Sequence, residues 1–227
     1  MERSGALVLF DIDGTLIRRA GPHHRQALVE AVRRTAGVET TTEGVPVAGM
    51  LDHTILRTMM TRAGMKPGAI RRVLPRAMEA AQSIYLKTSP RLERKVCPGV
   101  RGVLRQLEKR GVVIGLVTGN LSRIGWRKME RAGLRPYFRF GAFAEFAKDR
   151  AGLVRLAVRQ ARRERWIDRD SRIWMIGDHP NDVLAAKANG IRVLAVATGL
   201  IGIEELRAHK PDMALPDLRS LALEMLF

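Results

Sequence analysis

Four short apolar runs, each ending abruptly at polar residues, punctuate this chain. Residues 6–10 (ALVLF) stop at Asp11; Val112 to Val117 run into Thr118-Gly119-Asn120; Ile173 to Ile176 run into Gly177-Asp178; Val193 to Val196 run into Ala197-Thr198-Gly199. Unbroken apolar runs of this length suit strands buried on both faces, as in a parallel sheet. Between them apolar positions recur at intervals of three and four, which predicts helices over Val100 to Arg110, Leu121 to Ala132, Leu153 to Arg163 and Asp182 to Ala188. Strand alternating with helix predicts the α/β class, with a Rossmann-like parallel sheet as its core.

From about Arg18 to Val96 the alternation stops. Helical patterns cover His24 to Thr35, Asp52 to Ala63 and Gly68 to Lys87, with no strand among them. This stretch reads as an all-helical insertion, dividing the chain into a core of residues 1–17 and 97–227 and an inserted domain of residues 18–96. Gly21-Pro22 and then Pro90 and Cys97-Pro98-Gly99 supply the boundary signals. Toward the end, Met213 to Leu215 predicts an edge strand, followed by a closing helix.

Composition narrows the classes. With 46% hydrophobic and 28% charged residues in 227, the chain is globular and long enough to bury a core, which excludes disorder, collagen and a simple coiled coil. A single cysteine, Cys97, permits no internal disulfide, and no Cys/His spacing suits zinc, so a reducing, cytoplasmic setting is expected. No apolar run approaches the roughly 18 residues of a membrane span, and the amino terminus lacks the pattern of a secretory signal. The 40 Lys+Arg against 23 Asp+Glu give a net charge of +17, which attracts anions in general. Aromatics make up only 5% and do not interleave with the arginines, so solvated helix faces are expected rather than a nucleic-acid footprint.

In an open parallel sheet, ligands bind beyond the carboxyl ends of the strands. The polar residues there are Asp11 and Asp13, then Thr118, Gly119 and Asn120, then Asp178 and Asp182. Two carboxylates about 4 Å apart repel by roughly 4 kcal/mol at an effective dielectric near 20. Four of them converging call for a cation, and an all-oxygen donor set points to Mg²⁺.

Taken in order, FDIDGTL (Phe10 to Leu16), VTGN (Val117 to Asn120) and IGDHPNDV (Ile176 to Val183) resemble the first, second and fourth motifs of the haloacid dehalogenase superfamily. The insertion stands where that superfamily carries its helical C1 cap. The resemblance implies Asp11 as nucleophile, forming an aspartyl-phosphate, and Asp13 as general acid and then base. It implies Mg²⁺ bound by Asp11, Asp178 and the backbone carbonyl of Asp13, with Asp182 orienting metal-bound waters or joining as a ligand. Thr118, Gly119 and Asn120 would hold the phosphoryl oxygens. The third motif usually shows Lys followed by Pro before a helix, whereas this chain reads AKDRAGLV. Lys148 is favoured for the phosphate-binding cation there, because a helix starting near Asp149 would leave it at the sheet edge; Arg150 is its rival.

Within the insertion, VAGMLDHTIL (Val47 to Leu56) resembles the substrate-selecting cap segment of phosphoglycolate-phosphatase-like members. That implies contacts from Gly49, Asp52, His53 and Arg57, although Asp52 also reads as an ordinary helix N-cap. The activity implied is a Mg²⁺-dependent phosphatase on a small phosphorylated metabolite, of the phosphoglycolate or sugar phosphate class. Asp13 argues against dehalogenation, which needs no acid for an alcohol leaving group. Two alternatives stand beside it: a phosphomutase of the same fold, with His53 and Arg57 holding a second phosphate, and a basic nucleic-acid-binding protein on this scaffold. His23, His24 and His179 read as solvated or capping, while Cys97, Trp126, Trp166 and Trp174 read as packing.

Overall fold

A computed structural model describes residues 4–18 and 20–227. Residues 1–3 of the expected core segment and residue 19 of the expected insertion lie outside the described residues. The strands are β1 (Ser4–Phe10), β2 (Val113–Val117), β3 (Phe140–Ala142), β4 (Ile167–Gly177), β5 (Arg192–Val196) and β6 (Met213–Leu215). They form one parallel sheet in the order β3-β2-β1-β4-β5-β6, so β1 is central and Asp11 emerges at the middle of the carboxyl edge.

Alternate residues of β1 feed two cores, as the two-residue period of a strand requires. Leu7 and Leu9 face one cluster, while Val8 and Phe10 face the other, and all four are fully buried. The helices are α1 (His23–Ala36), α2 (Asp52–Arg62), α3 (Pro67–Thr88), α4 (Val100–Lys109), α5 (Ser122–Arg131), α6 (Arg150–Arg163), α7 (Pro180–Lys187) and α8 (Ile203–Ala208). Helix α4 covers the Val8 face with Val100, Val103, Leu104 and Leu107. On the other side, Ala27, Leu28, Ile55, Leu56, Met59 and Tyr85 of α1–α3 join the same apolar cluster as Leu7, Leu9 and the inner residues of α6.

Three departures from the sequence reading have local causes. Strand β3 is three residues long and contains Gly141, too short for a periodic signal. Strand β4 begins at Ile167, six residues before the apolar run, through a charged stretch whose first partner is Ser4. The expected closing helix is instead two 3-10 turns, Leu218–Ser220 and Leu223–Leu226, which bury their leucines under α4.

Candidate active site

The carboxylates of Asp11, Asp178 and Asp182 converge at the carboxyl edge, each buried, with oxygens from all three within 4.8 Å of one another. Gly14 makes the approach possible: its φ is +91°, and a Cβ there would stand 2.1 Å from Asp178 Oδ2. Next to it, Thr15 Oγ1 donates to Asp178 Oδ1 at 2.9 Å. Asp182 is held from two sides, with Oδ1 accepting from Arg150 Nε at 2.5 Å and Oδ2 from the His179 backbone N–H at 3.1 Å. Arg150 Nη2 also lies 2.7 Å from Asp11 Oδ1, yet no N–H of that atom is aligned with an acceptor among the described residues.

One guanidinium cannot balance three buried carboxylates. Burial pushes Asp11 up to about 6, against the pull of Arg150 and with help from Asp182 and Asp13. Burial, then repulsion from Asp11 and Asp182, pushes Asp178 up to about 8. Asp182 is also raised, by burial, although Arg150 opposes it. An all-oxygen, charge-deficient cluster of this kind fits a hard divalent cation, with Arg150 taking one oxygen of Asp11 and Thr15 one of Asp178.

Asp13 sits in different surroundings. Its side chain is 45% exposed, and both oxygens reach the Lys128 ammonium of α5, at 2.7 and 2.6 Å. Asn120 Nδ2 donates to Asp13 Oδ2 at 2.8 Å. Burial alone would raise this carboxyl, but Lys128, then His24, and the hydrogen bonds from Lys128 and Asn120 hold it below the ordinary range.

Thr118, fully buried, lines the same cavity, and its Oγ1 accepts from Asn120 Nδ2 at 2.7 Å. Gly119 is the point of closest approach to the inserted segment, since a Cβ there would stand 2.1 Å from the Met50 carbonyl oxygen. Its own carbonyl accepts from the Asp52 backbone N–H at 2.8 Å. The cavity measures about 630 Å³, and Asp11, Asp13, Thr118, Lys128, Arg150 and His24 are among its lining residues.

Not all of the expected residues reach the cavity. Lys148 is exposed and stands outside the cavity, whereas Arg150 is buried at its floor. The chain runs extended through Ala147 and Asp149 and turns into α6 at residue 150, so the first helical residue meets the sheet edge. Of the four residues expected in the insertion, Gly49 and Asp52 line the cavity, but His53 and Arg57 do not. The inward face of α2 is Asp52, Ile55, Leu56 and Met59, which leaves residues 53 and 57 on another face. His53 Nε2 meets the Ala147 carbonyl oxygen at 3.1 Å, and Arg57 is exposed. Asp52 is not an N-cap: Leu51 is, and the Asp52 carboxylate accepts from the Leu121 backbone N–H at 2.8 Å and meets His24 Nε2 at 3.0 Å.

Two further residues line the cavity: His24, which the sequence suggested as solvated or capping, and Lys128, which it did not single out. A signal for Lys128 was present, because it falls on the apolar stripe Ile124, Lys128, Met129 of α5, where a charge must find a partner. His179 both caps α7, accepting from the Asn181 N–H, and lines the cavity. Burial pushes the Cys97 thiol up to about 11, in keeping with a packing role.

Comparison with known proteins agrees with this architecture. Residues 6–190 match the model of the haloacid dehalogenase-like hydrolases, and the chain belongs to that family. A phosphoglycolate phosphatase of Pseudomonas fluorescens (strain Pf0-1) is 27% identical, over 95% of this chain and 78% of its own length. One of Synechococcus elongatus is also 27% identical, over 92% of this chain and 91% of its own. Among solved structures, CbbY from Rhodobacter sphaeroides in complex with xylulose-(1,5)bisphosphate superposes with a TM-score of 0.73 at 19% identity, covering 97% of this chain and 98% of that one. A β-phosphoglucomutase from Clostridium difficile gives 0.70 at 16% identity, covering 98% and 95%. No helix of the described residues is long and apolar enough to cross a membrane.

Proposed function

We propose that this hydrolase is a Mg²⁺-dependent phosphatase that cleaves a small phosphorylated metabolite through an aspartyl-phosphate on Asp11. The observation that carries the reading is the pairing, in one cavity, of a buried Asp11 against Arg150 with an Asp13 carboxylate two residues on. An Asp11 oxygen attacks phosphorus as the bond to the leaving oxygen breaks, and Asp13, entering this step protonated, passes that proton to the leaving oxygen. In the second half, Asp13 takes a proton from water as that water attacks the phosphorus, releasing phosphate and restoring Asp11. The unaligned Nη2 of Arg150, the Thr118 hydroxyl and the backbone N–H of Gly119 are the donors available to the phosphoryl oxygens, while the Asn120 N–H points at Thr118 Oγ1. Asp11, Asp178 and the Asp13 carbonyl, with Asp182 braced behind them, would hold Mg²⁺, which would supply positive charge near the transferring group.

Residues 18–96 act as the cap in this reading, and the cavity mouth suggests the substrate class. Arg18 and Arg25 line it, are exposed, and make no ion pair with a described residue. They suit a leaving group with its own anionic group, such as the carboxylate of phosphoglycolate or the second phosphate of a sugar bisphosphate. The two curated relatives are phosphoglycolate phosphatases by name, and CbbY was solved with a sugar bisphosphate bound, which supports the reading. His53 and Arg57, the residues expected to serve a mutase, stand outside the cavity, so hydrolysis is the reading supported best. The test is phosphate release from phosphoglycolate, sugar monophosphates and sugar bisphosphates, with and without Mg²⁺. Turnover that requires Mg²⁺ and is highest on esters whose leaving group carries a second anionic group is expected; no release from any of them overturns the proposal.

A further inference from the structure

The site holds two buried cations from two different helices, where one would serve the phosphoryl group. Arg150 of α6 contacts Asp11 and Asp182. Lys128 of α5 contacts neither: its ammonium, on a side chain 1% exposed, meets both Asp13 oxygens, Asn120 Oδ1 at 2.7 Å and His24 Nδ1 at 3.1 Å. The four carboxylates therefore fall into two compartments, a triad with its guanidinium and Asp13 with its own ammonium.

The second compartment is also mechanically closed. Asn120 accepts from Lys128 while its Nδ2 donates to Asp13 Oδ2 and to Thr118 Oγ1, so Lys128 and Asn120 brace the Asp13 carboxylate and Thr118 holds Asn120 in turn. Beyond Lys128, His24 of α1 reaches Asp52 of α2, which in turn accepts from the Leu121 N–H ahead of α5. An ammonium that is buried on an apolar stripe persists only where fixed acceptors surround it. Lys128 has them, and the acceptor it engages twice is the one that must face the leaving oxygen.

We propose that Lys128 is a positioning residue for Asp13: it fixes that carboxyl group's orientation, independently of the Arg150 cluster. This inference rests on the phosphatase reading. A misplacement of the order of 1 Å at a reacting group costs about 100-fold in rate. Lys128→Met is therefore expected to lower kcat on an alkyl phosphate about 100-fold, with KM changed less than about 3-fold. The substrate pair that isolates the role is an alkyl phosphate, whose leaving oxygen needs a proton, against p-nitrophenyl phosphate, whose leaving group does not. Formation of the Asp11 phosphoryl-enzyme in a single turnover should slow in Lys128→Met on the alkyl ester and stay near wild type on the aryl one. Adding Lys128→Met to Asp13→Asn should cost nothing further, because the lysine acts through the aspartate.

Equal slowing on both esters, or losses that multiply in the double variant, would overturn the role, since a merely structural lysine behaves that way. An active wild type with Lys128→Met at full kcat overturns it as well and leaves the phosphatase reading intact. A wild type inert on every ester overturns that reading and this role with it.

Discussion

Asp11 and Asp13 are separated by a single residue and live under opposite electrostatic influences. Asp11 is raised to about 6 by burial among carboxylates, while Lys128 holds Asp13 below the ordinary range despite its own desolvation. The raised groups set the sign of the pH dependence. Asp11 and Asp178 keep protons in the folded chain at pH values where the unfolded chain has released them, so their contribution to stability is full below about 4 and is lost as pH rises toward about 8. Thermal unfolding of the metal-free protein should therefore move to lower temperature between pH 5 and pH 8, while Mg²⁺ should raise the midpoint more at pH 8 than at pH 5. A metal-free midpoint that climbs across that interval would contradict the cluster's charge balance. Gly14 offers a second test at this scale. Gly14→Ala puts a Cβ into the Asp178 carboxylate, at a φ that alanine tolerates poorly. Mg²⁺ affinity measured by calorimetry should weaken by about 10- to 100-fold, as when a metal ligand's support is lost.

Helices deliver the cations and the inserted segment delivers Asp52, so the element scale is where the sheet's polar edge becomes a site. Asp52 gives its carboxylate to the Leu121 N–H and to His24, and its own N–H to Gly119, joining α2 to the loop after β2. Asp52→Ala leaves the buried Leu121 N–H without an acceptor and should cost about 1–3 kcal/mol, read from the denaturant midpoint. Motifs that end strands were legible in the sequence because a parallel strand buried on both faces is a continuous apolar run, and the residue that stops it marks the site. What the sequence could not reveal depends on how helices begin and rotate. That Arg150 and not Lys148 lines the cavity follows from α6 starting at residue 150, and that His53 and Arg57 stand outside it follows from the rotation of α2. Lys128 was hidden differently, since its partner lies 115 residues away and no local pattern connects them.

At the scale of the whole molecule, a net charge of +17 surrounds a cavity whose mouth carries Arg18 and Arg25. Such a field steers anions and is screened by salt. For a doubly anionic ester, kcat/KM should fall several-fold as ionic strength rises from about 0.02 to about 0.5 M, while kcat stays level, because screening slows encounter and not chemistry. Arg18→Ala and Arg25→Ala together should weaken kcat/KM for an ester whose leaving group carries a second anionic group more than for a monophosphate of an uncharged sugar. Fold class was legible at this scale too, in the strand and helix alternation that the inserted helices interrupt once, whereas β3 and the 3-10 turns at the carboxyl end left too little pattern to read.

The central claim is that Asp11 carries the phosphoryl group. Its most direct test is an acid quench of the protein turning over its best ester with Mg²⁺, followed by peptide mass spectrometry. A phosphoryl group on the peptide containing Asp11, absent in Asp11→Asn, is the predicted result. Phosphate release with no phosphorylated peptide in single-turnover samples, or unchanged turnover in Asp11→Asn, would contradict the account.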